Sequence, residues 1–154
     1  MTKREKAQNL FLEGYNCAQS VAGAFAEEMG MAFDTVVKLS SSFGAGMGRM
    51  REVCGAVSGM FLVAGALYGF REPGDPAAKK EHYERIQLLA AAFKEQTGSI
   101  VCRELLGALG TDTNPTPQAR TEAYYKKRPC AAMVGLAAEI LEQYMQKEER
   151  EAEL

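Results

Sequence analysis

Apolar residues recur at helical spacing along nearly the whole chain, and no segment alternates apolar and polar residues as a strand does. Residues that typically cap or begin a helix divide this pattern into separate helices. Thr2 with Glu5 has the form of a capping box, Asn16 precedes a second apolar face, and Asp75 followed by Pro76 opens a long helical segment. The pattern therefore predicts an all-α protein.

Other helix boundaries carry weaker signals. Asp34, Ser99 and Pro117 are each expected to begin a short helix, and Pro129 is expected to begin the last one. Gly98 has the position of a glycine that ends a helix. These signals complete a bundle of helices joined by short loops.

A glycine-rich apolar helix is predicted at about residues 51–69, since residues 53–70 contain no charge. Its length reaches the lower limit of a membrane span. The alternative is a central helix buried by its neighbours, and we favour it because the other helices are amphipathic and each needs an apolar partner. Two glycine pairs have the spacing that lets helices approach closely: Gly55 with Gly59, and Gly65 with Gly69.

Length and charge narrow the class of protein. The chain has 154 residues, so we expect residues 1–154 to form a single helical domain. The net charge of −2 is spread over mixed acidic and basic residues, which argues against a nucleic-acid surface. The basic residues Lys3, Arg4 and Lys6 precede no uninterrupted apolar stretch, so we expect a cytoplasmic protein without membrane insertion.

The candidate chemistry lies in four cysteines, which are Cys17, Cys54, Cys102 and Cys130. A reducing compartment disfavours structural disulfides and favours redox or metal chemistry. Each cysteine is predicted at or near a helix N-terminus, where free N–H groups and the helix dipole stabilise a thiolate. No two cysteines form a close pair, which is unlike an ordinary zinc module. The single histidine, His82, is expected to be exposed in a charged run.

A glycine-rich turn precedes the central helix, and its notable residues are Gly44, Gly46, Gly48, Arg49 and Arg51. One interpretation is anion binding, because glycines let a backbone approach a ligand closely. The other is a tight turn that brings Cys54 close to another backbone. The spacing matches neither a P-loop nor a dinucleotide fingerprint.

Four pieces of the chain resemble the family named C_GCAxxG_C_C after its cysteine pattern and described as redox-active. They are residues 14–20, 46–59, 102–107 and 128–130. The central motif is present as Cys54, Gly55, Ala56 and Gly59. The resemblance implies a helical protein whose four cysteines are its signature, and it implies no particular reaction.

Three classes of function follow, and the third of them is the binding of a small ligand or anion at Gly44 to Arg51 described above. In the first, the four cysteines converge and are the catalytic residues of thiol–disulfide couples or the ligands of a metal or iron–sulfur centre, and Cys54→Ser is expected to abolish the chemistry. In the second, the chain is a non-enzymatic helical binding or assembly module with structural cysteines. The sequence leaves open whether the chain is an enzyme, whether it carries a cofactor, what its redox partner is, and whether it forms a homodimer.

Overall fold

Eight α-helices account for most of the chain in the computed structural model, which describes residues 1–154. The chain is 70% helical and contains no strand, so the predicted all-α class is confirmed. The helices are α1 (Lys3–Leu12), α2 (Cys17–Ala24), α3 (Phe33–Ser40), α4 (Gly55–Tyr68), α5 (Pro76–Thr97), α6 (Cys102–Leu106), α7 (Glu122–Lys127) and α8 (Cys130–Ala152). Short 3₁₀ helices occur at Ser41–Phe43 and Gly107–Thr111.

The strong capping signals are all found where the sequence predicts them. The side chains of Thr2, Asn16 and Asp75 each accept a hydrogen bond from the backbone N–H three residues later. Pro76 is the first residue of α5, and Gly98 ends that helix with a left-handed φ of 92°. These polar caps satisfy N–H groups that would otherwise lack partners, which explains why the signals are reliable.

Two weaker start signals are wrong. Helix α3 begins at Phe33, so Asp34 lies in its first turn instead of capping it, and its carboxylate still faces the positive end of the dipole. Pro117 opens no helix, because residues 112–121 form a loop and α7 begins only at Glu122, capped by Thr121.

Ser99 does not cap α6 either. Its hydroxyl accepts a hydrogen bond from the N–H of Val101 at 3.0 Å and also bonds Glu104, so it organises the turn before the helix. Helix α6 begins at Cys102, with Val101 in the capping position.

The central helix α4 is shorter than the predicted 51–69, because Arg51 has a φ of +62° and Cys54 has the extended backbone of a capping residue. Its N-terminal half is buried, and a Cβ on Gly59 would lie 2.7 Å from the carbonyl oxygen of Ala18 in α2. A Cβ on Gly65 would meet nothing within 4 Å. Only the first of the two glycine pairs therefore serves close helix packing.

The remaining helices surround α4 and α2. Helix α1 packs along α8, and α2 packs against α1, α4 and α8. The largest fully buried side chains join these helices: Phe11, Phe25, Phe93, Met60, Leu89 and Leu141. None of the helices combines the length and the hydropathy that a membrane crossing requires.

His82 is buried, contrary to its predicted exposure. It is 8% exposed, and its Nδ1 lies 3.0 Å from a guanidinium nitrogen of Arg85. The edge of the ring of Phe70 packs against it. Burial and the Arg85 charge both lower the pKa of His82, because each disfavours a second positive charge at this position.

Candidate functional site

All four cysteines stand at the N-termini of helices. Cys17, Cys102 and Cys130 are the first residues of α2, α6 and α8, and Cys54 is the capping residue of α4. The predicted placement is therefore confirmed. At Cys54 it brings the sulfur within reach of the backbone N–H groups of Val57 and Ala56, which have no partner within the helix.

The four helix starts meet at one cavity of about 440 Å³, and all four cysteine side chains line it. A cavity of this size accommodates a small molecule. Cys17, Cys54 and Cys102 are buried, whereas Cys130 is only half-buried, and all four are free thiols. The structure thus gathers the four predicted residues around one space, and Cys130 is the most accessible of them.

The motif and loop residues divide into two groups. Five of the seven line the cavity: Gly44, Gly46, Gly48, Arg49 and Gly55. The other two lie behind it, since Ala56 is fully buried in the core and Gly59 packs on the backbone of α2. Ala56 and Gly59 therefore position helix α4 and its cysteine without facing the cavity.

The glycine-rich turn has an unusual left-handed backbone. Four non-glycine residues have φ between 55° and 68°, namely Ala45, Met47, Arg49 and Arg51, and Gly46 and Gly48 between them are left-handed too. A residue with a Cβ pays about 1 kcal/mol or more in this conformation. Strain of this kind is typical of functional sites. Here the conformation directs Arg49 and Arg51 to the cavity wall.

Gly46 makes the closest approach in this turn. A Cβ at this position would lie 2.6 Å from the Cβ of Cys102 and 2.7 Å from the Cα of Arg51. Any larger residue would push Cys102 away from the turn. The glycine is therefore required by packing as well as by its positive φ.

The turn also aligns two cysteine segments. An isolated antiparallel bridge pairs Val53 with Val101, and the N–H of Cys54 donates to the carbonyl oxygen of Ile100 at 2.7 Å. The prediction that the turn brings Cys54 close to another backbone is confirmed. The bridge fixes the start of α4 beside the start of α6, and so fixes Cys54 relative to Cys102.

A comparison with models of protein families shows which family this chain belongs to. Residues 15–144 match the model described as "Putative redox-active protein (C_GCAxxG_C_C)". The chain belongs to this family. Comparisons with curated proteins and with solved structures give no match. The match includes all four cysteines and both arginines of the glycine-rich turn, so the cavity described above is built from residues inside the family region.

Cys17 and Cys130 form an interacting pair whose pKa values move in opposite directions. A hydrogen bond with Cys17 lowers the pKa of Cys130 to about 7, and the positive charges of Arg128, Arg51 and Arg120 lower it further against the effect of burial. The same hydrogen bond and the burial of Cys17 raise the pKa of Cys17 well above its ordinary value. Cys17 therefore keeps its proton and stabilises a thiolate on Cys130.

Cys54 and Cys102 are kept neutral at pH 7. Burial raises the pKa of Cys54 to about 12, although the backbone N–H groups of Val57 and Ala56 pull it down. Burial also raises the pKa of Cys102, against the effect of Arg51, whose Nη1 lies 3.9 Å from the sulfur. The expectation that a helix start would favour a thiolate at every cysteine is therefore not met at these two, where desolvation outweighs the dipole, nor at Cys17, where the hydrogen bond with Cys130 and then burial raise the pKa.

Four arginines complete the cavity wall, and no acidic residue does. Arg49 pairs with the Asp112 carboxylate at 3.2 Å, while Arg51 donates from Nε to the Asp112 carbonyl oxygen at 2.9 Å. Arg120 and Arg128 form no ion pair and donate to backbone and side-chain oxygens instead. The site is therefore strongly electropositive, which favours a thiolate on Cys130.

The sequence identified these arginines only in part. Arg103 also lies next to a cysteine in sequence, but its exposed guanidinium bonds Glu52 outside the cavity. Arg120 is ten residues before Cys130 in an irregular loop, and no local pattern signals that it reaches the site. Its position follows from the path of the loop, which returns over α1 to bond the carbonyl oxygens of Phe11 and Tyr15.

A metal centre needs several ligand side chains that converge on one point. No group of three or more His, Cys, Asp or Glu side chains is arranged to hold a metal ion. The four cysteines therefore share the cavity wall without forming such a group.

Proposed function

We propose that this chain is a thiol–disulfide redox protein whose reactive couple is Cys130 with Cys17. The observation that carries the proposal is that Cys17 and Cys130 are free thiols on the wall of one cavity, where their interaction lowers the pKa of Cys130 and raises that of Cys17. A nucleophilic thiolate next to a protonated thiol is the arrangement that disulfide exchange needs. The half-buried Cys130 is also the cysteine that a substrate reaches first.

The reaction takes a small disulfide as oxidant. The Cys130 thiolate attacks one substrate sulfur, the substrate S–S bond breaks, and a mixed disulfide forms as the first thiolate leaves. Cys17 then loses its proton to that thiolate or to water and attacks the Cys130 sulfur. The second substrate thiol leaves, and the protein holds a Cys17–Cys130 disulfide. Two electrons pass from the protein to the substrate, and an external dithiol would restore the reduced form.

Cys54 and Cys102 are not assigned to the first step, because their thiols stay protonated near pH 7. This changes the expectation derived from the sequence, in which Cys54→Ser abolishes the chemistry. We now assign that effect to Cys130, and we assign Cys54 and Cys102 to the wall of the cavity.

Metal chemistry is the competing form of the redox hypothesis. A set of four thiolates suits zinc or an iron–sulfur cluster on ligand count. The absence of any three-ligand grouping in the fold supports paired thiols instead.

The test is to locate the disulfide. The protein would be purified without oxygen, treated with hydroxyethyl disulfide, alkylated, and mapped by peptide mass spectrometry. We expect a Cys17–Cys130 disulfide. Cys17→Ser is the matched trap variant, since it removes the second thiol and should leave the substrate half attached to Cys130. The double variant Cys54→Ser with Cys102→Ser should still form the disulfide.

Two results would overturn the proposal. One is a disulfide that joins Cys54 to Cys102 while Cys130 stays free. The other is iron or zinc in near-stoichiometric amount that disappears when any one cysteine is replaced, because that would make the cysteines ligands. Iron and zinc would be measured on the same oxygen-free sample.

A further inference from the structure

The arginines that line the cavity carry more positive charge than the nearby negative groups balance. Four arginines line it and no aspartate or glutamate does. Asp112 pairs with Arg49 from outside the wall. The Cys130 thiolate supplies at most one more negative charge, so about two arginine charges remain without a partner.

Arg51 has the greatest need of a negatively charged partner, because it is only 2% exposed. Its guanidinium donates to the carbonyl oxygen of Asp112 and makes a long contact with the sulfur of Cys102, and no carboxylate lies within ion-pair distance. A buried cation is costly unless an anion or several strong acceptors compensate it. The missing partner is therefore expected to be a group that enters the cavity.

Arg120 and Arg128 place two more guanidiniums beside the reactive thiol. Both lower the pKa of Cys130, so their charge acts on its sulfur. Arg128 lies over the ring of Tyr124, 4.8 Å from the ring centre, and donates to Gln118 at 2.6 Å. Guanidiniums oriented in this way bind carboxylates and other oxyanions well.

We propose that the substrate of this site is a small anionic disulfide, with an oxyanion group such as a carboxylate that binds the arginines while its sulfur reaches Cys130. This inference rests on the proposed thiol–disulfide function. It adds the substrate class, which the cysteines alone do not specify. The cavity volume of about 440 Å³ suits a small molecule of this kind.

Three small disulfides with two-carbon arms test the charge preference. Dithiodipropionate is anionic, hydroxyethyl disulfide is neutral, and cystamine is cationic. Each exchange rate is divided by the rate of the same disulfide with free glutathione, because the leaving thiols differ in acidity. At low salt we expect this relative rate to fall by about tenfold at each step in that order, because a charged cleft concentrates ions of opposite sign. The differences should shrink at about 0.5 M salt, where charges are screened over a few ångströms.

The variant Arg128→Gln should lower the ratio of the anionic to the cationic rate by about tenfold, with rates normalised to the neutral disulfide so that any change in Cys130 reactivity cancels. Arg103→Gln is the matched control, since Arg103 lies outside the cavity and bonds Glu52. It should leave the ratio unchanged. Equal rates for all three disulfides in the native protein would overturn the inference.

An equilibrium measurement separates this inference from the proposed function. Malonate, which has no sulfur, should raise the melting temperature of the Cys17→Ser, Cys130→Ser double variant saturably at millimolar concentration, and neutral malonamide should not. The shift should vanish on adding Arg128→Gln. Malonate binding without any disulfide exchange would refute the redox function and keep the anion site. Disulfide exchange without malonate binding and without a charge preference would refute the anion site and keep the redox function.

Discussion

The two thiol pairs around the cavity share a location and differ in chemistry. Cys17 and Cys130 interact with each other, and this interaction lowers the pKa of Cys130 and raises the pKa of Cys17. Cys54 and Cys102 are held at two ends of a short backbone bridge and are both made less acidic by burial. All four begin or cap a helix, so the helix N-terminus alone does not decide reactivity. The neighbouring thiol, the arginines and the degree of burial decide it.

The largest effect is expected from Cys130→Ser. The pKa of Cys130 is lowered to about 7, while burial raises the pKa values of Cys54 and Cys102, so the fast-reacting thiol should disappear and alkylation at pH 7 should slow by more than about tenfold. Iodoacetamide kinetics with site-resolved mass spectrometry would measure this. Cys54→Ser is the comparison variant and should keep the fast phase. A fast phase that survives in Cys130→Ser and vanishes in Cys54→Ser would reverse the ranking of the two pairs.

A smaller effect is expected from Cys17→Ala, which removes the hydrogen-bond donor to the thiolate. Loss of the donor destabilises the charged form, so the pKa of Cys130 should rise from about 7 towards its ordinary value. Since the arginines remain, we expect the pKa to rise to about 8 and alkylation to be about fivefold slower at pH 7. At a pH well above both values the rates should be equal. A pH profile of alkylation would show the shifted midpoint, and an unchanged midpoint would mean that Cys17 does not support the thiolate.

Local chemistry explains what the sequence predicted well. Thr2, Asn16 and Asp75 cap helices through contacts with residues three positions away, so the signal and the partner lie in the same short segment. The placement of Cys17 at a helix start followed from such a signal, the Asn16 cap. At Ser99 and Pro117 the local pattern misled, because the Ser99 hydroxyl bonds Val101 and Glu104 within a turn and helix α7 begins only at Glu122. That the whole chain is one domain stays a prediction, and a single unfolding transition would support it.

The cavity itself was beyond the reach of sequence patterns. The family motif marks Cys54, but it does not reveal that Cys130 pairs with Cys17 or that Arg120 approaches them from a loop. These relations depend on how four helix starts pack together. The left-handed turn was also partly hidden, because Ala45 and Met47 give no signal of a positive φ, and only the glycines between them do.

The smallest effect is expected on stability, from alanine substitutions at two glycines of helix α4, Gly55 and Gly65. A Cβ on Gly55 would lie 2.9 Å from the carbonyl oxygen of Phe43 and 3.0 Å from the Cβ of Cys17, whereas a Cβ on Gly65 would meet nothing within 4 Å. We expect Gly55→Ala to destabilise the fold by at least about 1 kcal/mol through overpacking. Gly65→Ala should stabilise it by about 0.5 kcal/mol, since alanine favours a helix interior.

Urea unfolding of both variants would measure the change in stability. The pH profile of alkylation would show which thiols are affected by the substitution. Because the new methyl group contacts Cys17 and not Cys102, Gly55→Ala should raise the pKa of Cys130 while the Cys102 thiol keeps its behaviour. Gly65→Ala should leave both thiols unchanged. If Gly55→Ala altered stability alone, the first thiol pair would be less sensitive to the position of α4 than the packing implies.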